Sequence, residues 1–208
     1  TGVALNANII AAFSEAMNPS TITTANFILK LGTTPVPGAV TYEGTTAVFN
    51  PTADLAASTT YTAMLTTGVK DLAGNALAAS ETWSFTTGTT ADSSAPMVTS
   101  TDPANAATGV ALNKKIPATF RETMDPFTLN TASYRVTGPG ATAVAGSVAY
   151  VGTTATFTPS VDLAPNTSYS ATVTTGATDL AGNALAANYV WSFTTGTTRD
   201  TTVPLVIA

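Results

Sequence analysis

The chain has 208 residues, with seven Lys and Arg against twelve Asp and Glu, which gives a formal net charge of −5. This balance excludes the basic surface that nucleic acid or an anionic membrane would need. The absence of cysteine and histidine excludes disulfides, thiolate metal sites and the most common general base. The mean hydropathy is +0.24, yet no apolar run reaches the roughly 18 residues needed to span a bilayer.

One stretch occurs twice and sets the organisation of the chain. The nine residues 71–79 recur unchanged as 179–187, and the eight residues 83–90 recur as 191–198. The spacing of 108 residues predicts two domains of ordinary size, each with its own hydrophobic core. Each copy combines a turn rich in Asp, Gly and Asn with a strand in which large apolar residues alternate with hydroxyl residues.

Short alternating segments follow one another along each repeat, about ten residues apart. Together with abundant threonine, they predict an all-β fold of two antiparallel β-sandwiches with about seven strands each, and a barrel is the alternative. The side chains predicted to form the inner faces of module one, with equivalents in module two, are Ile9, Ala11, Phe13, Phe27, Leu29, Leu31, Val40, Tyr42, Ala47, Phe49, Leu55, Tyr61, Ala63, Leu65, Trp83 and Phe85.

Two local features depart from simple strands. Residues 20–24 are predicted to form a single helical turn capped by Asn18 or Ser20. In module two, Pro117 interrupts the first alternating segment. Because proline cannot donate to a strand ladder, we expect its side of that strand to be an edge or a bulge.

The two modules begin differently. Residues 1–6 recur as residues 108–113, but only the second copy is preceded by the segment 96–103. We therefore expect module one to lack the opening strand that module two has. The predicted boundaries are module one at 1–90, a linker at 91–95, module two at 96–198, and a linker with the opening strand of a following module at 199–208.

Three motifs carry a resemblance to a known family. They are Phe-Ser-Glu-Ala-Met-Asn at 13–18, Asp-Leu-Ala-Gly-Asn-Ala-Leu at 71–77 and Trp-Ser-Phe-Thr-Thr at 83–87, and module two matches in the same order. Over nearly its whole length the chain resembles the bacterial Ig-like domain of the S-layer-protein type. The resemblance implies tandem immunoglobulin-like sandwiches in an extracellular bacterial protein, usually as stalk modules and sometimes beside an ice-binding-like or adhesive domain. It implies no enzymatic activity and no catalytic residues.

Carboxylates are the only candidates for a metal site. Asp71, Asp92, Asp102, Asp179 and Asp200 occupy predicted loops and linkers. Oxygen ligands in such places suit a calcium ion between stacked domains. Asx-turns and caps are the simpler interpretation, and the ligand spacing of a known calcium loop is absent. The prediction is no cofactor, with calcium as the alternative.

A second pair of carboxylates, Glu15 and Glu122, recurs at equivalent positions. A glycosidase needs two carboxylates that face each other across a cleft. Nothing in the sequence forms that pair, so we predict solvated loop residues. Each Trp, with its neighbouring Phe, is predicted to be a core residue and not a ligand platform.

The end of the chain repeats an opening strand. Residues 201–208 align with residues 93–100. Two interpretations stay open: a longer array cut out of phase, or strand addition to the incomplete sheet of the next chain, which gives a head-to-tail fibre. The sequence at 205–207 is more apolar than its counterpart at 97–99, as a docked strand should be. The predicted inter-chain strand consists of Pro204, Leu205, Val206, Ile207 and Ala208.

The predicted function is that of a non-catalytic structural protein, secreted or at the bacterial cell surface. Its partners would be copies of itself or neighbouring Ig-like modules, arranged head to tail as a stalk or filament. The rival hypothesis is an adhesin that binds ice or a glycan through threonine-rich faces or the loops at Asn75 and Asn183. Nucleic-acid binding and membrane insertion are not expected.

Overall fold

The computed structural model describes residues 2–203. The strand predicted at 204–208 lies outside the described residues. The chain divides into two compact units, whose described parts are 2–94 with 180–183 and 95–179 with 184–203. Both units are built from β-strands, as predicted. Across residues 2–203, no helix has the length and apolarity needed to cross a membrane.

Unit one forms two sheets from seven strands within residues 2–94. The strands are β1 (Ile9–Ala12), β2 (Phe27–Leu31), β3 (Thr34–Pro35), β4 (Gly38–Glu43), β5 (Thr46–Pro51), β6 (Thr60–Leu65) and β7 (Glu81–Thr86). One sheet has the order β1-β5-β4 and the other β3-β2-β6-β7. All of these neighbours are antiparallel.

Within residues 95–203, unit two repeats this arrangement with one additional strand in each sheet and without a counterpart of β3. The strands are β8 (Val98–Thr101), β9 (Ala107–Val110), β10 (Ile116–Phe120), β11 (Tyr134–Thr137), β12 (Gly146–Val151), β13 (Thr154–Pro159), β14 (Ser168–Val173) and β15 (Tyr189–Thr195). The sheets have the orders β12-β13-β10-β8 and β11-β14-β15-β9. β9 runs parallel to β15, and the other neighbours are antiparallel.

Each unit has its own hydrophobic core between its two sheets. In unit one the ring of Phe27 lies 5.8 Å from Phe49 and 5.9 Å from Trp83. The equivalent distances from Tyr134 in unit two are 6.0 and 5.9 Å. The sequence repeat is therefore also a repeat of core geometry.

Most residues predicted for the inner faces lie there, but Leu31 does not. Leu55, predicted to plug the crossover, is 4% exposed. Leu31 is 44% exposed, so its predicted inward orientation is wrong. It is the last residue of β2 and pairs only with the two-residue strand β3, because the ladder between β2 and β6 ends at Lys30.

Hydrogen bonds from buried polar groups fix the crossover loop above each core. In unit one the Ala56 N–H donates to the Tyr61 hydroxyl at 2.9 Å, and the buried Thr87 hydroxyl donates to the Ala56 carbonyl at 2.6 Å. Unit two repeats both bonds. Because a buried hydroxyl without a partner is costly, these bonds allow polar residues inside an otherwise apolar core.

The predicted helical turn is a 3-10 helix at Pro19–Thr21. Asn18 caps it, since its side-chain oxygen accepts a hydrogen bond from the Ser20 N–H at 3.1 Å. The cap at Asn18 is as predicted, but the helix begins one residue before the predicted range 20–24 and ends at Thr21. Asp125 performs the same role in unit two, where its carboxylate accepts from the Phe127 N–H at 3.0 Å.

The expectation that Pro117 marks an edge strand is wrong, because β10 lies between β13 and β8. Pairing with β8 begins at Ala118, opposite Thr101. The Pro117 carbonyl still accepts from the Asp102 N–H at 3.1 Å. Proline has no N–H to donate, and at Pro117 this causes no loss within the ladder because the pairing with β8 begins one residue later. A register shift does occur in this ladder, between Thr119 and Phe120.

Candidate functional site

The two units differ most along one side of the sandwich. In unit two, β8 pairs with β10 and β9 pairs with β15, so one segment covers an edge of each sheet. The five residues 102–106 connect β8 to β9. Because so short a connection joins them, the covered edges of β10 and β15 lie on the same side of the unit.

In unit one the equivalent edges are largely uncovered within residues 2–94. β1 has a neighbour only in β5, and β7 has a neighbour only in β6. Only the end of β7 is covered: the Gly2 N–H donates to the Thr86 carbonyl at 2.9 Å, the Gly88 N–H donates to the Val3 carbonyl at 2.7 Å, and Val3 forms a parallel bridge with Thr87. We call the side of unit one formed by the outer edges of β1 and β7 the open side.

Backbone hydrogen bonds hold the covering segment of unit two at both edges. On β10, Val98 lies opposite Phe120, and the Arg121 N–H donates to the Met97 carbonyl at 2.9 Å. On β15, the Ser192 N–H donates to the Asn105 side-chain oxygen at 3.0 Å. The Ser192 carbonyl accepts from the N–H of residue 106 at 2.7 Å.

Three pairs of equivalent aromatic residues are more exposed in unit one than in unit two. The pairs are Phe13 and Phe120, Trp83 and Trp191, and Phe85 and Phe193. The unit-two members are 2%, 2% and 1% exposed, respectively. The unit-one members are only half-buried. The core prediction is therefore correct for unit two and only partly correct for unit one, where no strand within residues 2–94 pairs with the outer edge of β1 or β7.

The open side also presents backbone groups. The Phe13 N–H points toward β5 and donates to the Thr45 carbonyl at 2.8 Å. Since successive backbone groups alternate along a strand, those of Ile10 and Ala12 point to the outer edge. Ser84 occupies the position on β7 that Ser192 occupies on β15. The open side therefore offers an extended segment both backbone hydrogen-bonding groups and half-buried aromatic surface.

Two of the candidate calcium ligands lie in unit one, and each has a local role. Both carboxylate oxygens of Asp71 accept hydrogen bonds from Asn75, one from its side chain and one from its backbone, each at 2.8 Å. These bonds, the side-chain bond most of all, lower the pKa of Asp71. The carboxylate of Asp92 accepts from the Ser94 N–H at 2.9 Å. Because Ser94 lies two residues after Asp92, this bond forms an Asx-turn.

Three further candidates lie in unit two. Asp102 forms an exposed ion pair with Lys114. Asp179 is 2% exposed and bridges to Met124 through its backbone. Asp200 accepts from the Thr202 N–H at 2.9 Å, and this bond is the main cause of its lowered pKa. Calcium binding by any of these residues stays a prediction, which thermal unfolding with and without added calcium tests.

Glu15 is exposed, as predicted, but it shares a depression with another carboxylate. It lines a volume of about 250 Å³ together with Asp71 and Leu77. A backbone bridge between Met17 and Asp71 brings the two motifs together. Sequence reasoning did not pair these carboxylates, because their contact depends on a bridge between loops 54 residues apart.

Two sheets, antiparallel apart from the β9–β15 pair, pack face to face over a core with a central Trp and define each unit as an immunoglobulin-like β-sandwich. The family model of the bacterial Ig-like domain matches residues 1–87 and 92–195. The chain belongs to this family.

Several solved structures are similar to part of the chain. The N-terminal part of the bacterial S-layer protein SbsC is 23% identical with a TM-score of 0.40, over 50% of this chain and 24% of that one. Domains 1–6 of the surface layer protein SbsC are 22% identical with a TM-score of 0.40, and the match covers 50% of this chain and 14% of that one. The LD transpeptidase LdtMt1 in complex with imipenem is 21% identical with a TM-score of 0.37, and the match covers 50% of this chain and 41% of that one. The matched region is thus well under half of each of these chains. A search of curated proteins gives no match.

Proposed function

We propose that this chain is a non-catalytic structural segment of a bacterial surface protein, in which Ig-like units follow one another as a stalk or fibre. Membership of the bacterial Ig-like family supports this role. Each unit also has a separate core of buried aromatic and aliphatic residues, so each can resist extension on its own. Exposure at the cell surface or outside the cell is part of the same proposal.

One observation carries the finer part of the proposal. β1 has a free outer edge among the described residues, whereas β10 has β8 at the same place. An unpaired edge is a template for another strand. Residues 204–208 align with residues 96–100, which contain the start of β8. We propose that this segment of one copy adds to β1 of the next, and that repetition of this heterologous contact builds a filament.

Truncation after Val203 tests the donor side. Gel filtration and electron microscopy should show concentration-dependent assemblies of the full chain and only monomers of the truncated one. Val206→Asp should act like the truncation, because a charge would be desolvated at the position aligned with the buried Val98. Leu205→Met, which copies the exposed Met97, is the matched control and should assemble normally.

A second variant tests the acceptor side. Ala12→Pro removes an outward N–H from the free edge of β1 and places a ring there, so assembly should be lost while the fold is kept. Unit two already accommodates Pro117 on the equivalent strand. Ala12→Val is the control. Assembly that survives both the truncation and Ala12→Pro would exclude strand addition at β1.

The adhesin alternative has its own observation. Exposed hydroxyl groups form pairs across β6 and β7, with 2.9 Å between Thr60 and Thr86 and 3.0 Å between Thr62 and Ser84. Unit two has an equivalent pair between Ser168 and Thr194 at 3.0 Å. Such rows present regularly spaced oxygens to a glycan or to ice. Glycan-array binding or retention on ice by the full chain would favour the adhesin, and negative results in both assays would favour the structural role.

A further inference from the structure

We infer that β12 of unit two is a surface for self-association, through which two copies of this chain pair side by side about a two-fold axis. The occupant of the β12 edge is β12 of a second copy. The inference does not depend on strand donation, because it uses one strand in the middle of unit two. It goes beyond the proposed function by adding a lateral contact to the head-to-tail contact.

β12 has a free outer edge in the described part of the chain, since β13 is its one neighbour in the sheet. The Ala145 carbonyl, directly before β12, accepts from the Ser160 N–H at 2.9 Å and so points to the β13 side. Because backbone groups alternate along a strand, those of Gly146, Val148 and Tyr150 point to the outer edge. Their N–H and carbonyl groups are therefore available to a further strand.

β12 also lacks the features that usually protect an edge strand. Natural edge strands commonly carry charged side chains or proline, which discourage pairing with another chain. The sequence of β12, Gly-Ser-Val-Ala-Tyr-Val, contains neither. The equivalent strand of unit one, β4, ends in Glu43 and directly follows Pro37, where unit two has Val151 and Ala145. This edge is therefore protected in unit one and unprotected in unit two.

The sequence of β12 is complementary to itself in one antiparallel register. With Val148 on the two-fold axis, Val148 lies opposite its own copy and Gly146 lies opposite Tyr150. Each of these pairs would exchange two backbone hydrogen bonds. On the other face Ser147 lies opposite Ala149, and both residues are exposed. The central pair is β-branched, which favours strand pairing, and no like charges meet.

The size of this contact determines when it forms. One strand pair is a small interface, well below the roughly 1,200 Å² that stable complexes bury. Pairing should therefore be transient between lone copies, so that the chain ending at Val203 still elutes as a monomer. Copies already aligned in a filament present many β12 strands at once, and the high effective concentration makes pairing persistent. β12 would thus join neighbouring stalks or fibres side by side.

Disulfide trapping detects transient pairing, and the chain contains no native cysteine that would interfere. In the inferred register Ser147 of one copy lies opposite Ala149 of the other, at about the 4.5 Å between Cα atoms that a disulfide can bridge. Identical positions lie diagonally, about 7–8 Å apart. Under mild oxidation, a mixture of the Ser147→Cys and Ala149→Cys chains should therefore form dimers roughly fivefold faster than either variant alone. Non-reducing gels measure the rates.

β4 provides the matched control. Ala39→Cys mixed with Thr41→Cys places cysteines at the equivalent positions of unit one, and this mixture should form dimers no faster than its single variants. Adding Ala145→Pro and Val151→Glu to both β12 variants should reduce their trapping to the β4 rate. Unit one already has Pro and Glu at these two positions, so the fold should be kept, which circular dichroism checks.

Equal rates for mixed and single β12 variants, or equal rates for β12 and β4, would overturn the inference. The chain ending at Val203 should show the same preference for the mixed pair, since it retains β12. Loss of trapping with filaments that depend on residues 204–208 would refute β12 pairing alone. Trapping together with filaments that survive the truncation would refute strand donation alone.

Discussion

Trp83 and Trp191 occupy equivalent positions on β7 and β15, yet their surroundings differ. Trp191 is 2% exposed, whereas Trp83 is half-buried. Both pack against an aromatic ring at 5.9 Å, Trp83 against Phe27 and Trp191 against Tyr134. Two neighbours are present only in unit two: the segment 102–106 beside β15, and the ring of Tyr189, which lies 5.7 Å from Trp191 where unit one has Glu81.

Truncation of the two Trp residues should have unequal costs. Trp191→Ala should lower the free energy of unfolding of unit two by about 3–5 kcal/mol, as expected for a fully buried aromatic residue. Trp83→Ala should lower the free energy of unfolding of unit one by about half as much, because folding buries less of the apolar area of Trp83 than of Trp191. Chemical denaturation followed by circular dichroism measures both changes. Equal losses would contradict the difference in burial.

Asn18 and Asp125, which cap the equivalent 3-10 helices at Pro19–Thr21 and Pro126–Thr128, should give the units different pH dependence. Burial raises the pKa of Asp125, although the Phe127 N–H bond opposes this. The folded unit then binds a proton more tightly than the unfolded chain. Unit two should therefore lose stability as pH rises from the unfolded-state value near 3.8 through the folded pKa.

Asp125→Asn tests this prediction, because Asn18 is already the cap of unit one. The variant should change stability at neutral pH by less than about 1 kcal/mol, since Asn and Asp cap about equally well. It should also flatten the acid-side pH dependence of the unit-two transition. Asp162→Asn, at an exposed position, is the control. An unchanged pH profile in Asp125→Asn would show that Asp125 titrates alike in the folded and unfolded states.

A buried hydroxyl distinguishes the two cores. The Tyr134 hydroxyl donates to the Ile116 carbonyl, and burial raises the pKa of Tyr134 well above its usual range. Unit one has Phe27 at the same position. Tyr134→Phe should lower the stability of unit two by about 1 kcal/mol through the lost hydrogen bond. Alkaline absorbance titration should show one tyrosine that ionises only as unit two unfolds, and this signal should vanish in the variant.

Gly146 should be intolerant of a side chain for a steric reason. A Cβ atom there would lie 2.5 Å from the ring of Phe157 and 2.6 Å from the Thr158 carbonyl. Gly146→Ala should therefore cost about 1–3 kcal/mol, because the buried ring or the backbone must move. Ser147→Ala, at the exposed neighbouring position, should change stability by less than about 0.5 kcal/mol. Thermal unfolding of both variants measures the difference, and equal midpoints would exclude the clash.

The sequence was most informative where one physical pattern determines one structural feature. Alternation of apolar and hydroxyl residues predicted the strands, and Asn18 before Pro19 predicted the capped helical turn. The half-burial of Trp83 and Phe85 could not be predicted from their own motif, because that motif is nearly identical in the two modules. It depends on a segment far away in sequence, which the comparison of module beginnings only indicated.

Other misses have the same origin. Leu31 continues the alternation of Phe27 and Leu29, but it lies beyond the ladder between β2 and β6, which no local pattern encodes. Pro117 indicated an edge or a bulge; β10 has neighbours on both sides, and its ladder with β8 begins at Ala118 and contains a register shift between Thr119 and Phe120. The shared depression of Glu15 and Asp71 depends on a loop bridge.

The paired hydroxyl groups on the outer faces of β6 and β7 have a consequence for how the surface responds to salt. Threonine and serine hydroxyls carry no charge, so dissolved ions do not screen the bonds between them as they screen surface ion pairs. Charged residues make up only 9% of the chain. The stability of both units should therefore stay nearly constant from dilute buffer to molar sodium chloride, and the same folded surface would serve in fresh water and in brine.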